Sequence, residues 1–295
     1  MEVLGKQRFV KVFRMLKLRS HENPRKTIFG STTNVSLKTL VECFMGSRIF
    51  ILVYHNIFDD PQDPYAVLPR EFERQMDWLK EHNYHILSLS QALDTLKYGI
   101  ISKKCVVLTF DDGYTDFLEN AAPVLKQHEF PATLFVVAGM VGGISRFRSP
   151  EYHRPLLDWK GIEEVTRLGF SIGSHSMNHP DLTSLPPEKL EEEIAASKKV
   201  IEDRLGMPIT LFSYPFARYG KRETIAVEMA GYHCAVTGSS WWGNGLETDR
   251  FRLERGFMSV NESMRDYVRK VNGHEGLLRQ FRHLQNGFQR FCGFR

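Results

Sequence analysis

Short runs of β-branched and aromatic residues alternate along this chain with longer stretches whose apolar residues recur every three or four positions. Six runs read as buried strands: Ile49–Tyr54, Cys105–Phe110, Ala132–Val137, Phe170–Gly173, Ile209–Tyr214 and His233–Val236. The stretches between them carry helical spacing. Pro69–Lys80 puts Phe72, Met76 and Leu79 on one face, and Gln91–Tyr98, Pro155–Leu168, Pro187–Leu205 and Lys221–Ala230 follow in order. Pro187–Leu205 has its acids early and Lys198, Lys199 and Arg204 late, which complements a helix dipole. Regular alternation of the two element types over about 200 residues predicts an α/β domain with a mainly parallel sheet. Seven or eight such units suit a barrel.

Composition narrows the class. With 42% apolar and 25% charged residues the chain is globular in character. The long uncharged stretch Phe130–Ser145 contains Pro131, Gly139, Gly142 and Gly143 and is shorter than the roughly 20 apolar residues a crossing helix needs. The first residues have no apolar core of signal-peptide type, and Cys43, Cys105, Cys234 and Cys292 form no CxxC pair. Cys105 and Cys234 lie in apolar runs and read as free buried thiols. A reducing, cytoplasmic location is therefore expected.

Charge is unevenly spread. Residues 1–26 hold eight Lys/Arg against two acids and residues 262–295 hold seven against three, so the body between them is net negative in a chain of net charge +4. Both ends show helical apolar stripes, Phe9, Phe13 and Leu16 at one and Leu277, Phe281, Leu284, Phe288 and Phe291 at the other. Such basic amphipathic ends either dock on the body or lie on an anionic membrane surface, at the inner face of the cell membrane. The acidic body argues against nucleic acid as a partner. The absence of GxGxxG and GxxxxGK[ST] leaves nucleotide-phosphate binding without support. The expected division is a basic extension over 1–48, a catalytic domain over 49–258 and a basic amphipathic extension over 259–295.

In α/β barrels and open sheets the chemistry gathers at the carboxyl ends of strands. Here those ends read Tyr54-His55-Asn56, Asp111-Asp112-Gly113, Ser174-His175-Ser176-Met177-Asn178-His179 and Pro215-Phe216-Ala217-Arg218. A four-residue spacing would set His175 and His179 on one face of a helical turn, a workable bite for a divalent metal. Adjacent carboxylates repel, and in a turning backbone they point apart, so one can bind a metal while the other faces substrate. Gly113 permits the sharp turn. Two histidines and a carboxylate leave coordination positions open, a catalytic arrangement rather than a structural one, and suggest metal-assisted hydrolysis of an acyl group.

At these residues the chain resembles the polysaccharide deacetylase family (NodB homology domain, carbohydrate esterase family 4). The matching motifs are TFDDG at Thr109–Gly113, SHSMNH at Ser174–His179 and, more loosely, FSYPF at Phe212–Phe216. The segment from LVYHNI through REFERQMDWLKEHNYHILSLSQAL is similar to the branch acting on poly-N-acetylglucosamine. The resemblance implies a distorted (β/α)7 barrel and one divalent ion held by Asp112, His175 and His179, zinc first, with cobalt, nickel or iron as alternatives. It implies Asp111 as the base for the attacking water and the backbone N–H of Phe216, beside Pro215, as an oxyanion donor. His55 would be the acid toward the departing sugar amine.

Two positions depart from the family pattern. Ser213 stands where many members carry the Arg that orients the base, with Arg218 the nearest candidate to supply that charge, and Phe216 stands where Tyr is common. The late catalytic-His motif of other branches is not recognisable. Trp241 and Trp242 are candidates to stack on sugar rings, and Asn56, Arg146 and Arg148 to meet polar or anionic substrate groups. The expected function is removal of N-acetyl groups from amino sugars of a polysaccharide or its precursor. The alternatives are deacetylation or deformylation of a lipid-linked or nucleotide-linked amino sugar at the inner membrane face, and a non-catalytic glycan-binding protein on the same fold.

Overall fold

The computed structural model describes residues 48–99, 101, 104–238 and 243–273. The strands among the described residues are β1 (Ile49–Tyr54), β2 (Asn56–Ile57), β3 (Ala66–Val67), β4 (His85–Leu87), β5 (Cys105–Phe110), β6 (Thr133–Val136), β7 (Ser171–Ser174), β8 (Leu211–Ser213), β9 (Cys234–Val236) and β10 (Arg255–Phe257). The α-helices among the described residues are α1 (Pro69–Glu81), α2 (Leu89–Tyr98), α3 (Ala122–Gln127), α4 (Trp159–Arg167), α5 (Pro187–Leu205), α6 (Lys221–Met229) and α7 (Met264–Val271). The main sheet runs β10-β1-β5-β6-β7-β8-β9, all parallel, with β4 and β6 sharing one edge of β5. β2 and β3 pair separately.

Closure comes from one segment. Leu253 exchanges backbone hydrogen bonds with the β9 edge, donating to Ala235 O and accepting from Thr237 N, while Arg255–Phe257 align with Ile51–Val53 of β1. A single stretch of chain thus spans both free edges and nearly closes a distorted (β/α)7 barrel, the architecture expected from the alternation.

Period-two alternation sorts the strand residues. On β1 and β5, Ile49, Ile51, Cys105 and Val107 point inward with Phe135, Leu211, Cys234, Val236 and Leu253, while Leu52, Tyr54, Val106, Leu108 and Phe110 face the helices. Cys105 and Cys234 are free and buried, as expected. Gly173 has a steric reason: a Cβ there would lie 2.5 Å from the Phe135 ring that fills the interior. Burying a ring of that size contributes roughly 2–3 kcal/mol.

Helix ends follow local chemistry. Ser88 caps α2 in a reciprocal box with Gln91, and Asp158 caps α4 by accepting from Gly161 N–H. The three-residue strands β4 and β10 are not evident in the pattern because His85 and Arg255 break the apolar run. Helix α7 sends Tyr267 and Val271 into the core, so the barrel body includes at least this part of the stretch beyond residue 258. The basic stripes of both ends, residues 1–47 and 274–295, lie outside the described residues. Among the described residues no helix is long and apolar enough to cross a membrane.

Candidate active site

The inward parity that fills the barrel with apolar side chains continues past the strand ends and changes character there. Counting by twos from Ile51, Val107, Gly173, Leu211 and Leu253 leads to His55, Asp111, His175, Ser213 and Arg255. Four of these are buried, and His55 is half-buried. The barrel's own alternation therefore points five polar side chains at one mouth.

The acidic pair separates as the turn argument requires. Asp111 keeps the inward direction of β5, whereas Asp112 (φ 76°) and Gly113 (φ 83°) are both left-handed, which swings the second carboxylate toward the histidines. A side chain at 113 would be strained by that φ and would crowd Val136 at 3.2 Å.

The histidines correct an expectation. His175 and His179 do not lie on a helical turn; β7 ends at Ser174, and the loop bends through left-handed Ser176 (φ 63°) and His179 (φ 56°). Ser176 Oγ accepts from His179 N–H at 3.0 Å. Glu193 of α5 holds the loop by accepting from the N–H groups of Met177 and Asn178 and from the Asn178 amide. The result still brings the rings together, with the two Nε2 atoms 3.1 Å apart. Asp112 Oδ1 lies 3.5 Å from His175 Nε2 and 3.6 Å from His179 Nε2, and it has no hydrogen-bond partner among the described residues.

This donor set fits a divalent metal. His175 Nδ1 is 2.8 Å from Ser213 O, and a carbonyl can only accept, so Nδ1 carries a proton and Nε2 is the nitrogen that faces the carboxylate and the second ring. Burial, reinforced by His175, lowers the His179 pKa to about 3, which keeps that ring neutral. One carboxylate and two imidazoles, buried and with ligand atoms within 4.8 Å of one another, match a three-ligand site with open positions.

Asp111 is held by an arginine that the sequence reading did not find. Arg255 of β10 donates from Nη1 to Oδ1 at 2.8 Å and from Nη2 to Oδ2 at 2.6 Å, a fork-to-fork pair. Its Nε donates to Thr237 O, Nη1 also reaches Thr109 Oγ1, and Nη2 reaches Ser213 Oγ, which in turn donates to Asp111 Oδ2. Burial alone would raise the Asp111 carboxyl, but Arg255, with His175 behind it, overcomes this and holds it well below the usual range. Arg218 does not supply this charge; it pairs with Asp181 at the surface. The available signal was parity: Leu253, Arg255 and Phe257 alternate on one face.

His55 packs against the rings of Tyr65 and Phe257 at 5.3 and 5.2 Å, and its Nδ1 has no partner among the described residues. Burial first, then Arg148, push its pKa well below the usual value, so the resting imidazole is neutral. Pro215 is buried and opens a short turn in which Phe216 and Ala217 are both left-handed (φ 55°). Proline has no N–H, so the first donor of this turn belongs to Phe216, whose half-exposed ring meets His179 edge-on at 4.6 Å. Asn56 is not a substrate contact; it is buried and donates to Asp63. Arg148 likewise bonds Asp112 Oδ2 at 2.8 Å, while Arg146 is exposed. Trp241 and Trp242 lie outside the described residues. Tyr65, exposed at 37%, and Phe216 are the aromatic faces that the described mouth presents.

Residues 99–235 match the family model for polysaccharide deacetylase. Over these residues the chain is similar to the polysaccharide deacetylase family. The Bacillus subtilis (strain 168) protein YxkH is 34% identical over 192 residues, 65% of this chain and 64% of its own length. Poly-beta-1,6-N-acetyl-D-glucosamine N-deacetylase of Staphylococcus aureus (strain MRSA252) is 27% identical over 57% of this chain and 59% of its own. The chain thus spans less than two thirds of either relative. Among solved structures, Streptococcus pyogenes deacetylase PplD in complex with acetate superposes with a TM-score of 0.66 at 26% identity, over 76% of this chain and 98% of that one. Within the family pattern, the Arg missing at position 213 has its charge restored from β10: the small Ser213 side chain shares Asp111 with Arg255.

Proposed function

We propose that this chain is a metal-dependent carbohydrate N-deacetylase that removes N-acetyl groups from amino sugars of a polysaccharide or its precursor. The carrying observation is the juxtaposition of two differently held carboxylates, Asp112 beside two imidazole Nε2 atoms and Asp111 in an arginine fork. Asp112, His175 and His179 would hold the ion, zinc first and cobalt, nickel or iron as alternatives. A divalent ion there would polarise the amide carbonyl and acidify a water, which an acceptor as weakly basic as Asp111 requires.

The remaining roles belong to the chain. Asp111 Oδ2 lies 3.8 Å from His175 Nε2, close enough to the ligand set to take a proton from a water held there. Arg255 and Ser213 keep that carboxylate ionised and fixed. The Phe216 N–H is the donor for the developing oxyanion. The proton that Asp111 takes from that water returns to the departing amine by way of His55, whose neutral imidazole accepts it and passes it on, so both groups end as they began. Tyr65 and Phe216 offer flat apolar faces to a sugar ring. The poly-N-acetylglucosamine activity of the staphylococcal relative makes β-linked N-acetylglucosamine oligomers the substrate class to try first.

Metal content tests this reading. Mass spectrometry on protein purified without nickel affinity should find about one divalent ion per chain, lost in His175→Ala/His179→Ala. No ion in the wild type after incubation with zinc or cobalt would leave a glycan-binding role in the lead. The basic ends support a second element of the proposal, peripheral contact with the inner membrane face, where lipid-linked amino-sugar precursors would be the substrate. Flotation of the full chain with anionic liposomes, against a variant with the end arginines and lysines neutralised, checks it; equal flotation would remove the membrane element.

A further inference from the structure

We propose that Arg148 is a positioning residue that restricts Asp112 to a single metal-facing oxygen. The inference rests on the metal reading above and assigns a role to a side chain outside the ligand set. Asp112 uses its two oxygens differently: Oδ2 accepts from Arg148 Nη2 at 2.8 Å, whereas Oδ1 faces the two imidazoles without a hydrogen-bond partner among the described residues. A carboxylate with one oxygen committed to a guanidinium offers the other alone. Freed, it could chelate with both and take a coordination position that water or substrate needs.

The guanidinium is itself packed in place. Its side chain is 9% exposed, stacks over the Tyr65 ring at 3.9 Å and lies 5.5 Å from that of Tyr114. Nη1 points toward Asp63, 4.0 Å away, and Asp63 is anchored by Asn56 and by Tyr65 N–H. The segment carrying Arg148 is tied down by a bridge between Ile144 and Pro155, by reciprocal bonds between Ser145 and Arg154, and by His153 Nε2 donating to the Arg148 carbonyl. The residue before it, Phe147, stacks on His179 at 4.0 Å and 24°. One anchored segment therefore braces two of the three ligands, Asp112 by charge and His179 by stacking. Arg148 is part of the site's scaffold rather than an arm reaching for substrate.

Cobalt binding to the full chain tests this without reference to turnover. Arg148→Met should bind cobalt about tenfold or more weakly, with a weaker visible spectrum as coordination number rises. Arg148→Gln, which keeps a donor for Oδ2, should stay close to wild type on both readouts. A folded Arg148→Met protein matching wild type in affinity and spectrum overturns the inference while leaving the metal reading intact. Wild type that takes up no cobalt overturns both. A crystal structure of zinc-loaded wild type needs no variant: Asp112 bound through Oδ1 alone, with Arg148 on Oδ2, supports the assignment, and Asp112 chelating through both oxygens overturns it.

Discussion

At the amino ends of the strands, Asn83, Glu129, Gly169 and Gly231 have positive φ, and all four are exposed. Each closes a helix in the same way. Its N–H bonds back three residues, and the next N–H, of Tyr84, Phe130, Phe170 or Tyr232, bonds back five. This is one helix-ending motif used four times, with a buried aromatic following each left-handed residue. At the carboxyl ends, Asp112, Ser176, His179, Phe216 and Ala217 share the same backbone region without a shared hydrogen-bond pattern, and all but Phe216 and Ala217 are buried. The amino end asks only for a backbone shape, so Gly, Asn and Glu interchange. At Asp112 and His179 the carboxyl end uses the left-handed turn to aim a side chain into the site, and at those two positions the residue type matters as well as the backbone shape.

The largest effects should therefore fall at the carboxyl end. Asp111→Asn should lower turnover of N-acetylglucosamine oligomers by about 10³-fold or more while retaining zinc, whereas Asp112→Asn should lose the zinc as well. Steady-state rates beside metal content separate the two, and a fully active Asp111→Asn would break the assignment of the base.

Stability should follow the same division. Arg255→Met leaves a buried, unpaired carboxylate and should cost about 3–5 kcal/mol in urea denaturation, part of it recovered by adding Asp111→Asn. No loss would show that the fork is not a buried pair in solution. Asp116, buried at the same end, has its pKa raised to about 7, chiefly by burial and against the Ile57 N–H that bonds it. A carboxyl with a raised folded pKa contributes stability below its unfolded pKa and loses it as pH rises through the folded value. The contribution of Asp116 to the unfolding free energy should thus fall between about pH 4 and 7, at up to roughly 1.4 kcal/mol per pH unit, and Asp116→Asn should remove that slope in urea denaturation.

The smallest effect sharpens the comparison most directly. Glu129→Gly and Asn83→Gly relieve left-handed strain and should raise stability by about 0.5–1 kcal/mol with activity unchanged. His179→Gly relieves the same strain and should lose the metal. Equal outcomes at the two ends would dissolve the distinction.

Much of this was legible beforehand, and unevenly so. Pro187–Leu205 was bounded correctly because Pro and Gly flank a clear periodicity, and β1 and β5 because their apolar runs are unbroken. The convergence of the acidic pair with His175 and His179 was readable from their places at strand ends, and the choice of Asp112 from the family resemblance, although the reason offered for the histidines, a helical turn, gave way to a loop held by Glu193. Arg255 escaped because β10 has three residues, one charged, and its partner lies 144 positions away.

The sequence by itself determined the alternation of strands and helices, the inward parity of each strand and the chemistry at each strand end, because these depend on local periodicity and residue type. Only the tertiary structure decided which charge answers which. Ser213 and Arg255 share Asp111, and Arg148 takes Asp112, because barrel closure brings β10 beside β1 and folds the segment before α4 over the mouth. In a buried site each charge needs a partner at hydrogen-bond distance, and that distance is set by closure rather than by neighbours in sequence.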